Sequence, residues 1–367
     1  MASVFDHPLK DAVDLSSVSR ALLVKLRHHG DVLLTSPVFS VLKREAPHLE
    51  LDALVYGETR DMLSLHPAIA NVYAIDRAWK RETPWTRLRH EWRLLKQLRA
   101  RRYDLLIHLT ESYRGALLAQ WLAPRVSVAQ RYPKRRGRFW HGSFTHLYSI
   151  PAKPRHRVEL HLDALRRIGI YPAQEERGLT LVPGPEAEAS VEELLRQSGL
   201  ARGQFIHLHP TSRWLFKCWE IDKYAALIAA LQASGERIVL TAAPAEHELQ
   251  FVRAVLAAVR APVIDLSGGL SLKQLAALTA RAKCYIGVDS APMHIAAAMG
   301  TPTVVLFGPS GDLEWGPWQV RSRVITSLHS CRPCGMDGCA NGKVSDCLVD
   351  IPVAQVLDAV RGLIAAA

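Results

Sequence analysis

The first half of the chain alternates short, mostly apolar runs with longer stretches whose apolar residues recur every three or four positions. Residues 21–26, 51–56, 72–75, 104–109 and 125–129 read as strands. Residues 31–46 read as a helix, with Pro37 too deep for a first turn, which moves the expected start to near Ser36. Further helices are expected over 85–102, 112–122 and 157–168. A stretch rich in Pro, Gly and Glu then intervenes, and a linker is expected over 178–185. The alternation restarts with strands at 205–208, 237–241, 263–265, 284–287 and 303–307, and helices at 221–233, 245–259, 271–282, 291–299 and 353–366. Apolar strands alternating with helices predict parallel, doubly wound sheets. The expected architecture is α/β, with two Rossmann-like domains over residues 1–180 and 181–367.

Composition agrees with that pattern. With 367 residues, 49% hydrophobic and 22% charged, the chain is an ordinary globular one whose length favours two domains. It holds no apolar run of about 18 residues, so no transmembrane helix is expected. Its acid-bearing N-terminus lacks the apolar core of a secretory signal, and its six cysteines make no secreted disulfide scaffold, so a cytoplasmic address is expected. The net charge of +11 is uneven: residues 77–138 hold 17 basic and 4 acidic residues, and the remainder is slightly acidic. Such a segment suits an anionic partner: nucleic acid, membrane headgroups or a phosphorylated substrate.

Missing motifs narrow the chemistry. There is no G-x-G spacing, no G-x-x-x-x-G-K-[ST] loop, no G-x-S-x-G elbow and no pair of Asp residues two apart. Dinucleotide oxidoreductases, P-loop ATPases, α/β-hydrolases and Asp-x-Asp metal-dependent transferases all lose ground.

Three loops carry candidate chemistry. Arg27-His28-His29-Gly30-Asp31 follows the first strand, where Asp31 is either a helix cap or a general base. His209-Pro210-Thr211-Ser212, continuing to Lys217 and Trp219, follows the first strand of the second half. Its hydroxyls, backbone N–H groups and lysine suit a diphosphate, and a purely structural loop is the other reading. Gly287-Val288-Asp289-Ser290-Ala291, with His294 one turn on, leads from a buried strand into a helix start that can hold phosphate. Glu246 and Leu270 follow other strands at the same sheet edge, where they can meet a ribose hydroxyl and a purine, or simply cap and pack. Cys331, Cys334, Cys339 and Cys347 form C-x2-C-x4-C-x7-C, open to a structural zinc or to a metal-free cysteine-rich loop. Trp85, Leu88, Trp92, Leu95 and Leu98 recur at helical spacing and are expected to pack on their own sheet. The surrounding cations, Arg87, Arg93 and Lys96 among them, are left to meet anionic headgroups.

Taken together and in this order, the three loops resemble the heptosyltransferases of lipopolysaccharide biosynthesis, glycosyltransferase family 9. Gly30-Asp31 through Ser36-Pro37, Thr211-Ser212 with Lys217 and Trp219, and Gly287-Val288-Asp289-Ser290 through His294 to Phe307-Gly308-Pro309 carry the likeness. The cysteine-rich tail is most similar to the heptosyltransferase III subgroup. The resemblance implies a GT-B fold with two Rossmann-like domains facing across a cleft, the first binding acceptor and the second nucleotide-sugar donor. It also implies metal-independent inverting transfer of heptose from ADP-L-glycero-D-manno-heptose to the inner core, as a branch on the second heptose. On this footing Asp31 matches the catalytic base. Thr211, Ser212 and Lys217 match diphosphate and sugar contacts, and Asp289 matches the carboxylate on heptose hydroxyls. Ser290 and Ala291 match diphosphate N–H donors, His294 a nearby polar contact, and Glu246 and Leu270 the ribose and adenine positions. No cofactor is implied. The partners would be the donor, a lipid A–core acceptor and the cytoplasmic face of the inner membrane, with no nucleic acid. Rival readings are heptosyltransferase I or II, another GT-B transferase or epimerase, and a non-catalytic basic module binding nucleic acid.

Overall fold

A computed structural model describes residues 9–135, 137–150 and 152–365. The chain divides after Thr180 into two units, each built on a six-stranded sheet.

In the first unit the strands are β1 (Arg20–Val24), β2 (Glu50–Tyr56), β3 (Asn71–Ile75), β4 (Leu105–His108), β5 (Val126–Gln130) and β6 (His146–Tyr148). They lie in the order β3-β2-β1-β4-β5-β6, and every neighbouring pair is parallel. The helices are α1 (His29–Leu33), α2 (Ser36–Glu45), α3 (Pro84–Ala100), α4 (Tyr113–Leu122), α5 (Arg138–Gly142) and α6 (Arg157–Arg166). The central strands β1 and β4 are buried from end to end except at Arg20, the first residue of β1, as helices on both faces require.

The second unit repeats the plan with β7 (Ile206–His209), β8 (Ile238–Leu240), β9 (Ile264–Asp265), β10 (Cys284–Val288), β11 (Thr303–Leu306) and β12 (Ser322–Ile325). Their order, β12-β11-β10-β7-β8-β9, is that of the first sheet written from the other edge, again all parallel. Its helices are α7 (Pro185–Gln197), α8 (Ile221–Ala233), α9 (Glu246–Ala258), α10 (Leu272–Thr279), α11 (Ala291–Ala298), α12 (Asp312–Trp315), α13 (Asp346–Val349) and α14 (Val353–Ala365). Both units are therefore Rossmann-like, with the strand order reversing beside β1 and beside β7.

Local chemistry explains where elements differ from expectation. The single helix expected over 31–46 is two: α1 ends at Leu33, and α2 restarts at Ser36 with Pro37 in its first turn, where a missing N–H costs nothing. Helix α7, not anticipated from the Pro/Gly-rich approach to it, starts on Pro185 and buries Ala187, Val191 and Leu195, one per turn. Strands β6 and β12 are short edge strands, three and four residues long, whose apolar pattern is too brief to register.

The α3 stripe does not pack as expected. Leu94 and Leu98 are buried against the sheet and Leu95 is half-buried, but Trp85, Leu88 and Trp92 are exposed. Helix α3 is long enough to show two apolar faces, and the sheet covers only one of them. Arg87 also separates from the other two cations assigned to a basic face. At about 100° per residue it projects roughly opposite Lys96.

Close packing in the first unit depends on one small residue. A Cβ at Gly115 on α4 would lie 2.0 Å from Nε2 of His108, the last residue of β4. Gly115→Ala is expected to lower unfolding free energy by about 1–3 kcal/mol through overpacking, read from urea denaturation; an unchanged midpoint would contradict this close approach.

Candidate active site

In the first unit the strand order reverses between β1 and β4, and a lysine crosses that point. Lys25, directly after β1, donates through Nζ to the carbonyl of Leu109, directly after β4, at 3.1 Å. Its second contact is Nε2 of His161 on α6, at 2.9 Å. His161 Nδ1 lies 3.0 Å from the Leu34 carbonyl, which can only accept, so Nδ1 carries the hydrogen and Nε2 accepts from Lys25. The carboxylate of Asp31 stands 3.8 Å from the same Nζ. Burial drives the Lys25 amine down to about 8, against the pull of Asp31, and Arg27 and Arg157 push in the same direction. Burial also holds His161 well below the usual imidazole range, with Lys25 adding to the effect.

Asp31 is not a helix cap. His28 occupies the N-cap of α1, and Asp31 lies inside the first turn, half-buried. Lys25 and His161 were not singled out from sequence. Lys25 sits in an apolar run that reads as strand, and His161 is 136 residues away, so only the folded chain joins them.

The second unit has the same arrangement at its own reversal point, between β7 and β10. The loop after β7 tightens into one 3-10 turn, Leu215–Lys217, and the loop after β10 presents Asp289. Lys217 Nζ and Asp289 Oδ2 meet at 2.5 Å across the gap, both largely buried. Trp214, half-exposed, lies with its ring 5.4 Å from the same ammonium and 5.6 Å from the Arg213 guanidinium. Ser290 is the N-cap residue of α11, and Pro292 in the first turn carries no N–H, so the backbone donors here are those of Ser290 and Ala291. His294 is buried in the first turn of the same helix. Gly287 allows this packing: a Cβ there would lie 2.3 Å from the Tyr285 phenol oxygen.

Behind Thr211 runs a buried polar chain whose hydrogens can be ordered. The Thr279 hydroxyl donates to the Leu275 carbonyl at 2.6 Å, so its oxygen accepts from His207 Nδ1–H at 3.1 Å. His207 Nε2 is then bare and accepts the Thr241 hydroxyl at 2.7 Å; the Thr241 oxygen in turn accepts from His209 Nδ1–H at 2.8 Å. His209 Nε2 is left as an acceptor 3.5 Å from the Thr211 hydroxyl. Burial keeps both imidazoles neutral, with His207 well below its ordinary value and His209 pushed down to about 3. Thr211 therefore turns its hydroxyl hydrogen inward; it is wholly buried, and Ser212 beside it almost so.

The tail braces these loops. Ser345 donates to the Phe216 carbonyl at 2.6 Å, Trp219 Nε1 to the Ile351 carbonyl at 3.2 Å, and Arg332 to the Gly308 carbonyl at 2.7 Å. Among the described residues no group of three or more His, Cys, Asp or Glu is arranged to hold a metal ion. Cys331, Cys334 and Cys339 are exposed, Cys347 is buried, and Cys339 Sγ accepts from the Asp346 N–H at 3.4 Å. The zinc reading of the four thiols finds no such set here. Glu246, in the first turn of α9, is exposed and pairs with Arg253 at 2.5 Å. Leu270 is half-buried, with part of its side chain against Val191, Leu195 and their neighbours.

Lys25 carries a stability signature. Its amine is held at about 8 in the folded chain against 10.5 unperturbed, so unfolding takes up a proton between those values. Stability attributable to this residue therefore rises as pH goes from about 8 toward 10.5 and is lowest below 8. Lys25→Met should be relatively more stable than the parent at pH 7 and lose that advantage at pH 9.5, measured by urea denaturation at both. A constant difference between the two would show that Lys25 does not titrate as described.

Residues 91–345 match the model of glycosyltransferase family 9 (heptosyltransferase). The chain is 36% identical over 294 residues to lipopolysaccharide heptosyltransferase 3 of Escherichia coli, covering 80% of this chain and 84% of that protein. In structure it is similar to a family 9 glycosyl transferase from Veillonella parvula, with a TM-score of 0.83, 22% identity and coverage of 98% and 100% of the two chains. It is also similar to E. coli ADP-heptose lps heptosyltransferase II, with a TM-score of 0.74, 21% identity and coverage of 95% and 99%. These likenesses show the GT-B type of α/β fold. With the family model spanning most of the chain and both switch points bearing charged groups, the protein belongs to glycosyltransferase family 9 and is a glycosyltransferase.

Proposed function

We propose that the protein transfers L-glycero-D-manno-heptose from ADP-heptose, with inversion, to the inner core of lipopolysaccharide, adding a branch on the second heptose. The observation that carries this reading is the Lys217–Asp289 pair across the β7/β10 reversal point, in a family 9 chain that resembles lipopolysaccharide heptosyltransferase 3. The pair sets a cation and an anion side by side beyond the carboxyl ends of two parallel strands, the place where such sheets hold nucleotides.

Each group has one task in this reading. Lys217 and the N–H groups of Ser290 and Ala291 hold the diphosphate and stabilise the charge that grows on it as ADP leaves. Asp289 releases Lys217 to the phosphate and accepts hydrogen bonds from heptose hydroxyls. Thr211 and Ser212, both buried, support the diphosphate and sugar from beneath the loop. His294 supports the turn from below. Glu246 serves the ribose after leaving Arg253, and Leu270 borders the adenine. Asp31 takes the proton of the acceptor hydroxyl as that oxygen attacks the anomeric carbon. Lys25, tied to Leu109 and His161, keeps positive charge beside Asp31. In this reading the transfer needs no metal ion. The unit of residues 1–180 binds the acceptor and that of 181–367 the donor, at the cytoplasmic face of the inner membrane.

The test is incubation of the purified enzyme with ADP-heptose and core acceptors truncated after the first or second heptose, with product mass and linkage as readout. Transfer only to the one-heptose acceptor would reject the branch position. Asp31→Asn should lower kcat about 10²–10⁴-fold while ADP affinity holds; near-parental turnover would remove Asp31 as base. Lys217→Met should weaken ADP binding about 10–100-fold by loss of a charge-assisted contact, read by calorimetry.

A further inference from the structure

Helices α3 and α4 expose apolar residues that the rest of the first unit leaves in large part uncovered. On α3, Trp85, Leu88 and Trp92 are 80%, 58% and 55% exposed and share one face by their spacing of three and four. On α4, Tyr113, Leu117 and Trp121 recur every four residues and are exposed as well. The two rows meet where Trp92 packs edge-on against Trp121, with ring centroids 5.6 Å apart. The result is one continuous apolar surface rather than isolated side chains, and solvated proteins rarely keep such a surface without a partner.

Cations flank it on one side. At about 100° per residue, Lys96 and Arg89 lie roughly 40–60° from Trp92 around α3, and Arg93 about 100°. None of the three has an acidic partner among the described residues, and all three are exposed. The nearby acid, Glu91, is ion-paired to Arg114. Arg99 lies over the Trp121 ring at 5.2 Å and places a further positive charge at the junction.

We propose that this face docks on an anionic lipid leaflet. Trp85, Leu88, Trp92 and Leu117 enter the interfacial layer, while Arg89, Arg93 and Lys96 meet lipid phosphates. Amphipathic Trp side chains suit that depth, and each added cation near an anionic surface strengthens attachment. A second copy of the chain fits poorly, because a self-complementary contact would bring the same unpaired cations together. No helix among the described residues is long and apolar enough to cross a membrane, and attachment through an interfacial face of this kind is reversible. The proposal gives physical form to the membrane setting of the proposed function and rests on that reading for its purpose, not for its chemistry.

The full chain is mixed with vesicles of phosphatidylethanolamine and phosphatidylglycerol, or of phosphatidylcholine alone, and binding is read by flotation. Tryptophan quenching by brominated acyl chains reads insertion. The expected result is binding and quenching on the anionic vesicles only. Trp85→Ser with Trp92→Ser should weaken binding about tenfold or more and abolish most quenching, with an unchanged thermal midpoint. Arg89→Glu with Arg93→Glu should abolish binding. All variants should keep parental turnover on a deacylated, water-soluble core acceptor. Unaltered vesicle binding by the folded tryptophan variant would overturn the proposal. So would a dimer in sedimentation that the same variant dissolves, since that assigns the face to a second copy. Failure of heptose transfer by the parent enzyme, with vesicle binding intact, would instead strike the proposed function and leave the docking surface standing.

Discussion

In each unit the sheet grows outward in both directions from its first strand, and crossover connections of one hand must then leave that strand toward opposite faces. The loops after β1 and β4, and after β7 and β10, are thereby parted. The carboxyl ends of two adjacent parallel strands stay uncovered by either helix layer. Polar groups can gather there without competing for the ladder hydrogen bonds. Both units use the opening in one way: a lysine reaches across it, Lys25 to Leu109 in the first and Lys217 to Asp289 in the second.

These lysines do little for stability in themselves. Lys25 is buried, and its amine is pulled well below its ordinary value by lost hydration, so its charge opposes folding. A chain selected for stability alone would put an apolar residue there. A charge buried at that cost beside Asp31 suits the base proposed there. Lys217 and Asp289 neutralise one another, which spares each the cost of standing alone in a half-dry site. Beneath them the His207–Thr241–His209 chain keeps its imidazoles neutral and orders its hydrogens in a single direction. A fully satisfied polar core of this kind fixes the orientation of Thr211 at its end. The tail completes the support, with Ser345 and Arg332 holding the backbone of the loops that carry Lys217 and Gly308.

Helix α3 shows a different use of the same building rules. A helix lying on a sheet needs only a narrow apolar face, supplied here by Leu94 and Leu98. The remaining apolar residues lie on the side away from the sheet, next to unpaired cations. In the unit of residues 1–180 part of the surplus positive charge, at Arg89, Arg93 and Lys96, therefore borders an apolar surface.

The amino-acid sequence by itself determined the element order, because apolar runs of strand length and 3.6-residue periodicity are local signals. Helix α8 falls where its periodicity places it, and α9 and α11 lie within a residue of theirs. The loops bearing Asp31, Lys217 and Asp289 were equally legible, since each comes directly after an apolar run of strand length, over 21–26, 205–208 and 284–287. What periodicity cannot say is which of two apolar faces a sheet will cover, and so the exposure of Trp85, Leu88 and Trp92 was decided by packing. The joining of Lys25 to His161, and of Lys217 to Asp289 across 72 residues, was likewise decided by strand order. Hydrophobic pattern is a property of neighbours along the chain, whereas a hydrogen bond between distant residues exists only once the sheet has brought their strands side by side.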